Sequence, residues 1–499
     1  MPLHLYNFQK QDIIKLRGVP KGLNANDMGT GKTVEAIIVD REKRNKHGEE
    51  FRKKGKIMTL VVAPLSVIGS WVEHFQTWQP HLKLVVINTK KRADFGQAVL
   101  KGKGDVFICH WDGLRLMPEL KRVYWFHVIA DEVHRAKNRD ALQTQALKRL
   151  STAHKLGLSG TPADNRPDDF WSVLNWIDAA QFSSFWSFEK RYVKKRAHNV
   201  GACELEDCDG YHKRAYKEIL GCDNVDELHA KIGSFYVRRT KEEVLPELPE
   251  KYYTSVYIDL APVQARAYNQ MKTDMLAWVG KNEDQPIAAP IVISKLVRLQ
   301  QFACAFGEMV TKVKRFRCPD WPNKCMCDEE LLQGKWHTKI VDELVLTEPS
   351  SKLDAAMELI QDNPKKQIGF FAQSRQVIEL LERRLIKANI SSAILTGNTK
   401  PEDRTGIISE FQRGKRRIFA GTYAAGGVGI TLTAASTVGR IDRPWSPSVD
   451  RQAVDRFHRI GQQNAVQVID FIANGTIDAK RNDKIDWKWS VLREMLGDK

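Results

Sequence analysis

Two short runs near opposite ends of the 499-residue chain carry residue types suited to holding a polyphosphate. In NDMGTGKT, Asn26 to Thr33, Gly29 and Gly31 flank Thr30 and let backbone amides close on an anion, while Lys32 brings a cation and Thr33 a hydroxyl suited to magnesium. In DRFHRIGQ, Asp455 to Gln462, Arg456 and Arg459 are cations that can close over the same phosphate. The first run alone is a modest signal, because short patterns recur by chance and the usual leading glycine of a phosphate loop is here Asn26. The distant partner strengthens it.

Phosphoryl transfer to water needs a metal near the phosphates, a carboxylate to orient the water and cations to stabilise the transition state. VIADEVH, Val128 to His134, ends an apolar run in adjacent carboxylates. Asp131 suits water-bound magnesium, and Glu132 suits positioning or activating the attacking water; the bland alternative is an ordinary acidic strand end. His134 can couple this run to its neighbours, although a lone histidine is more often structural. LSGTPADN, Leu158 to Asn165, puts the Ser159 and Thr161 hydroxyls where they can relay between the phosphate site and a second lobe. By itself Ser-Gly-Thr-Pro is also an ordinary turn.

These residues need a scaffold that brings strand ends together. IMTLVVAP, LKLVVINT, DVFICH, VYWFHVIADE and AHKLGLSG read as buried strands of a parallel sheet, and ligands gather at the carboxyl ends of such strands. A second series follows residue 350: KQIGFFAQ, SSAILTG, RRIFAGT, STVGRID and NAVQVIDFI. The expected fold is therefore α/β, with two parallel-sheet lobes at 1–185 and 351–480, helical protrusions and a linker at 186–350, and a C-terminal helix at 481–499. The basic stretch Arg41 to Lys56 reads as a solvated loop rather than a dedicated DNA-binding element.

A formal charge of +17 favours polyanionic partners, with simple solubility as the bland alternative. No apolar run approaches the ~18 residues that span a bilayer, and the N-terminus lacks a signal-peptide core, so no membrane association is expected. Eight cysteines, several in apolar stretches such as that around Cys109, read as reduced intracellular thiols. Cys318, Cys325, Cys327 and His337 form a candidate zinc set, but the spacing is not a recognised ligand pattern, and the reading is against zinc. Cys203, Cys208, His212 and Cys222 form a weaker set, and Cys304 reads as a buried helix residue.

The ordered runs resemble the Swi/Snf-related ATPases of helicase superfamily two over almost the whole chain. The resemblance also rests on VVAPLSVIGSWVEHF (Val61 to Phe75), YVRRTKEEVLPELPEK (Tyr236 to Lys251), FQRGKRRIFAGTYAAGGVGITLTAAS (Phe411 to Ser436) and PWSPSVDRQAVDRFHRIGQ (Pro444 to Gln462). It implies two RecA-like lobes with ATP between them, duplex DNA across their surface, and movement along DNA usually without strand separation. Carried over by motif, Gln9 reads adenine, Lys32 and Thr33 bind phosphates and magnesium, Arg456 and Arg459 reach across the cleft with Arg459 as the preferred arginine finger, and Gln452 is a nearby polar contact. DNA contacts are expected from Pro64 and Ser66 in the first lobe, and from Gln373, Thr396, Thr422, Gly426, Gly427 and Trp445 in the second. For each of these, core packing or a turn is the alternative. Three departures stand out: Asp27 replaces the common glutamate, Val133 the usual small residue, and Ala424 a basic residue often found before AGG.

Three functions follow as expectations. The first is a monomeric, DNA-dependent ATPase translocating on duplex DNA in replication, recombination or repair. The second is a strand-separating or annealing helicase at forks, and the third a non-hydrolysing, ATP-switched DNA-binding scaffold. A compact core of this kind suits the cytoplasm of a bacterium or a phage-infected host, or the nucleus if the source is eukaryotic. Protein partners are not legible.

Overall fold

The computed structural model describes residues 4–53, 55–198, 201–202, 211–212, 216–281, 289–317, 332–333, 336–427 and 429–498. Its framework is two parallel sheets.

The first sheet has seven strands: β1 (Lys21–Asn24), β2 (Thr59–Ala63), β3 (Leu84–Val86), β4 (Val106–His110), β5 (Tyr124–Asp131), β6 (Ser151–Leu158) and β7 (Tyr236–Val237). They lie in the order β7-β1-β6-β5-β2-β4-β3, and every neighbouring pair is parallel. Its central strands are Val/Ile/Leu-rich because helices cover both faces; β2 is buried at all five positions. The register sets Asn24, Leu158 and Asp131 abreast, so the phosphate loop, the Ser159 turn and the paired carboxylates leave the sheet side by side.

The second sheet holds β8 (Lys251–Ile258), β9 (Ile368–Ala372), β10 (Ser392–Leu395), β11 (Ile418–Thr422), β12 (Thr437–Arg440) and β13 (Val466–Ala473). Their order is β8-β13-β12-β9-β11-β10, again with parallel neighbours. All ten strands expected from apolar runs are present. The other three, β1, β7 and β8, are a short segment and two edge strands. In β8 the four consecutive residues from Tyr252 to Ser255 are exposed and Tyr257 is 67% exposed, so it carries no continuous apolar run.

Two strands from the stretch expected as protrusions and linker thus complete the sheets. The remainder of that stretch is also not purely helical. Alongside helices such as Val225–Ile232, Pro262–Lys281 and Ala289–Cys304 stand two antiparallel hairpins, Val193–His198 with Tyr216–Cys222 and Phe306–Arg317 with Trp336–Thr347. In the second hairpin the apolar residues of VTKVKRF, Val310, Val313 and Phe316, fall three apart, so the sequence there carries no two-residue period and the strand pairing shows only in the structure.

The reading of Arg41 to Lys56 as a loop is corrected. Residues up to Arg52 continue the helix α1 (Lys32–Arg52) that begins at the phosphate loop. Its charges are not all solvated: Lys43 donates to the Val19 carbonyl, and Arg44 donates to Asp40 at 2.7 Å and to Thr59 Oγ1 at 2.6 Å. Asp40 also meets His127 Nδ1 at 2.9 Å, so a buried polar network fastens the helix to β2 and β5.

The C-terminal helix starts at Ile477 and runs to Leu496. Its first turn belongs to the second lobe, where Asp478 pairs with buried Lys352 at 2.5 Å. Its last turn belongs to the first: Val491, Leu492 and Met495 enter that lobe's core, and Tyr236 donates to the Leu496 carbonyl at 3.2 Å. Cys109, Cys222 and Cys304 are free and buried, and Cys304 ends the helix Ala289–Cys304. Cys203, Cys208, Cys318, Cys325 and Cys327 lie outside the described residues, so neither candidate zinc set lies wholly within them. Among the described residues no group of three or more His, Cys, Asp or Glu is arranged for a metal, and no helix is long and apolar enough to cross a membrane.

Candidate nucleotide site between the lobes

Gly29 and Gly31 adopt φ of 83° and 93°, a left-handed conformation that side chains rarely tolerate. This turn delivers Lys32 into the first turn of α1. Gln9 closes the loop from outside: its Nε2 donates to the Thr30 carbonyl at 2.8 Å, and a Cβ on Gly31 would lie 2.4 Å from that nitrogen. Thr30 is buried and donates to the Asp27 carbonyl at 2.8 Å. Lys32 Nζ donates to the Asn26 and Asp27 carbonyls at 2.7 and 2.8 Å. Burial lowers its pKa against the upward pull of Glu132, Asp27 and Asp131.

The carboxylates stand opposite. Asp131 Oδ2 accepts from Trp71 Nε1 at 2.9 Å, its Oδ1 accepts from the Glu132 amide at 3.0 Å, and its carbonyl accepts from Trp111 Nε1 at 2.9 Å. Burial and the adjacent charge of Glu132 push Asp131 up to about 6. Glu132 occupies the left-handed region at φ 51° and lies 3.3 Å from His134 Nδ1. Burial works to raise its pKa, but the hydrogen bond and charge of His134, with Lys32 and Arg456, outweigh it and hold the carboxyl below its ordinary value. His134 Nδ1 also lies 3.0 Å from Ser159 Oγ, which accepts from the Thr161 amide at 3.2 Å.

The second lobe supplies the facing wall. Lys32, Thr33, Trp71, Asp131 and Glu132 share a cavity of about 480 Å³ with Gly429, Thr431, Arg456 and Arg459. Arg456 donates twice to the Gly427 carbonyl, at 3.0 and 2.7 Å, and Arg459 donates to the Ile430 carbonyl at 3.2 Å. Burial lowers the pKa of both arginines, Arg456 to about 10, where the neighbouring charge of Arg459 acts in the same direction. Gln452 is buried in the helix Pro447–Val454 and is not among the residues lining the cavity.

Four residues that motif reading did not single out hold this arrangement. Trp71 aims Asp131. Asp164 crosses between lobes, accepting from Ser446 Oγ at 2.9 Å through its carboxylate and from Ser448 Oγ at 3.1 Å through its carbonyl. Lys241 pairs with Asp455 at 2.8 Å and donates to the His458 carbonyl at 2.7 Å. Arg238 reaches Asp27 at 2.9 Å, the Gly160 carbonyl at 2.9 Å and both oxygens of Asp498 at 2.7 Å. All four lie inside runs already notable in sequence, but their partners lie far along the chain.

The expected DNA contacts divide. Ser66 and Gln373 are exposed, Trp445 is half-buried, and Leu65 between Pro64 and Ser66 is 69% exposed. Pro64, Thr396, Thr422, Gly426 and Gly427 are buried. A Cβ on Gly426 would meet the Phe371 ring at 2.7 Å, and the Gly427 carbonyl holds Arg456, so these glycines serve packing and arginine placement in this conformation. Ala424 is exposed.

A phosphate loop on one parallel-sheet lobe, with arginines of a second lobe closing the same cavity, defines a two-lobed P-loop fold with a split nucleotide site. The SNF2-related domain model matches residues 14–308 and the helicase conserved C-terminal domain model residues 351–461. The chain belongs to the SNF2-related family. It is 29% identical over 95% of its length to a putative ATP-dependent helicase/translocase, YwqA, of Bacillus subtilis, covering 46% of that protein. It is 27% identical over 99% of its length to an uncharacterized ATP-dependent helicase, MG018, of Mycoplasma genitalium, covering 42%. The chain thus spans less than half the length of these two relatives. A solved SWI2/SNF2 ATPase core of Sulfolobus solfataricus in complex with dsDNA aligns with a TM-score of 0.42 at 25% identity, over 99% of this chain and 94% of that one.

Proposed function

We propose that this protein hydrolyses ATP to ADP and phosphate and converts the opening and closing of its two lobes into movement along double-stranded DNA. The observation that carries the reading is the shared cavity: Lys32, Asp131 and Glu132 come from one lobe, Arg456 and Arg459 from the other, and all five face the same space.

In this reading the amides of the Gly29–Gly31 turn and Lys32 bind the phosphates, and Gln9, packed on that turn, reads the base. Glu132, kept ionised beside His134, orients the attacking water and takes up its proton. Arg459, with Arg456, neutralises charge on the transferring phosphoryl group. Thr33 and Asp131 present the hard oxygen donors that suit magnesium, which when bound would neutralise phosphate charge. Loss of the bound phosphate removes the anion that draws the arginines toward the first lobe, and Asp164 and Lys241 transmit that change through their contacts with Ser446 and Asp455.

Duplex DNA is the partner favoured by the +17 charge and by family membership. Backbone amides and hydroxyls near Ser66 and Gln373 suit phosphates and give little sequence preference. Monomeric action is part of the proposal, with replication, recombination or repair as the setting that the sequence reading favours. The test is phosphate release with duplex, single-stranded and forked DNA and with RNA. Duplex DNA should stimulate hydrolysis most, and Lys32→Ala should abolish the stimulated rate. No response to duplex DNA, or full activity in Lys32→Ala, would overturn the reading.

A further inference from the structure

A second cavity, of about 240 Å³, lies outside the nucleotide cleft, where three distant segments meet. Asn165, Arg166 and Pro167 follow the Asp164 turn; Lys217 and Glu218 come from the strand Tyr216–Cys222; Lys484, Trp487 and Lys488 come from the helix Ile477–Leu496. Four of its lining residues are cations. Its one carboxylate, Glu218, lies 3.1 Å from His198 Nε2, and Arg166 is held in place by Asp168 at 2.7 Å. Lys484 Nζ stands 4.0 Å from the centre of the Trp487 ring. The pKa of Lys488 is lowered by burial and then by the like charge of Lys484, against the upward pull of Asp164 and Asp169.

Crowded cations beside an indole ring match the two demands of a nucleic-acid strand: charge neutralisation of phosphate and a π face for a base. We propose that this cavity is an accessory site for a nucleotide unit of a nucleic-acid strand, separate from the ATP cleft. Continuity favours a strand as occupant. Lys488 donates to the Trp445 carbonyl at 3.1 Å, linking the cavity to a residue expected at the DNA surface, and the chain as a whole carries a charge of +17. The site adjoins Asp164, so an occupant would touch the segment that bridges the lobes. The proposal does not rest on ATP turnover.

Two measurements test it. The first is the salt dependence of oligonucleotide binding, followed by fluorescence anisotropy. For single-stranded DNA, Lys217→Gln with Lys484→Gln should reduce the slope of log K against log salt by about 1.4, at about 0.7 per phosphate contact. A control pair in the other lobe, Lys365→Gln with Lys366→Gln, should leave it unchanged. The second is lysine acetylation of the unaltered protein, read by mass spectrometry, in which a bound oligonucleotide should protect Lys217 and Lys484. An unchanged slope in the cavity variant, or unprotected lysines at saturating oligonucleotide, would overturn the proposal. Protection by inorganic tripolyphosphate but not by oligonucleotide would overturn it in favour of a small polyphosphate. Because duplex-stimulated phosphate release is measured separately, failure here leaves the motor reading standing, and failure of that reading leaves this one standing.

Discussion

Gly29 of the phosphate loop and Arg459 of the opposite lobe approach so closely that a Cβ on Gly29 would lie 3.1 Å from the Arg459 Cβ. The two lobes therefore meet at the residues expected to handle phosphate. Gly29→Ala confronts both a φ of 83° and this contact. Left-handed backbone costs an alanine about 1–2 kcal/mol, so, if that strain is felt in the transition state, the variant should hydrolyse ATP about five- to thirtyfold more slowly while keeping its fold, checked by steady-state kinetics and circular dichroism.

Arg459→Ala should lower the maximal ATPase rate on the order of a thousandfold, the scale of an arginine finger, with a much smaller change in nucleotide affinity. Arg459→Lys should not restore it, because an ammonium lacks the planar fork of a guanidinium. Single-turnover phosphate release together with equilibrium nucleotide binding separates the two quantities.

Trp71→Phe preserves an aromatic ring but removes the donor to Asp131 Oδ2. With Asp131 already raised to about 6 by burial and by Glu132, losing that bond should raise it further and leave less carboxylate for magnesium at neutral pH. The expected loss in kcat/KM is about tenfold, the scale of a hydrogen bond to a charged group, and it should shrink as magnesium is raised. A magnesium titration at constant ATP reads this directly.

Asp164→Ala removes the acceptor of Ser446 and the partner of Lys137. DNA-stimulated hydrolysis should fall more than hydrolysis without DNA, because the contact joins the lobes and does not line the ATP cavity. Asp164→Asn keeps an oxygen for Ser446 and should fall between the two. Equal losses with and without DNA would argue for a purely local role.

His154 lies with its ring 5.0 Å from that of Phe126, and burial followed by the charges of Lys43, His127 and His47 lowers its pKa to about 3. Between pH 6.5 and about 3 the unfolded chain takes up a proton here that the folded chain refuses, so stability falls as pH falls through that window. His154→Phe should keep the ring contact and lose less melting temperature than the parent between pH 7 and pH 5.

Ten of the thirteen strands of the two parallel sheets, and the strand ends that carry Asp131 and Ser159, were legible because each is a local property: an apolar run followed by polar residues. The edge strand Lys251–Ile258 was not, since most of its residues face solvent and no continuous apolar signal remains. Residues 41–52 were misread as a loop because their charges suggest solvent. Only the tertiary partners of Lys43 and Arg44, supplied by Val19, Thr59 and Asp40, make that segment part of a helix fastened to the sheet.

By itself the amino-acid sequence pointed to the groups to which the chemistry is assigned in the proposed function: glycines where positive φ is required, one lysine, two carboxylates and two arginines, each tied to a short run with its own local signature. The tertiary structure alone decided how they are held. Trp71 on Asp131, Arg238 between Asp27 and Asp498, Lys241 on Asp455 and Asp164 on Ser446 are pairings between residues from 60 to more than 280 positions apart. No local pattern encodes such pairings, because they exist only once the sheets have formed and the lobes have met.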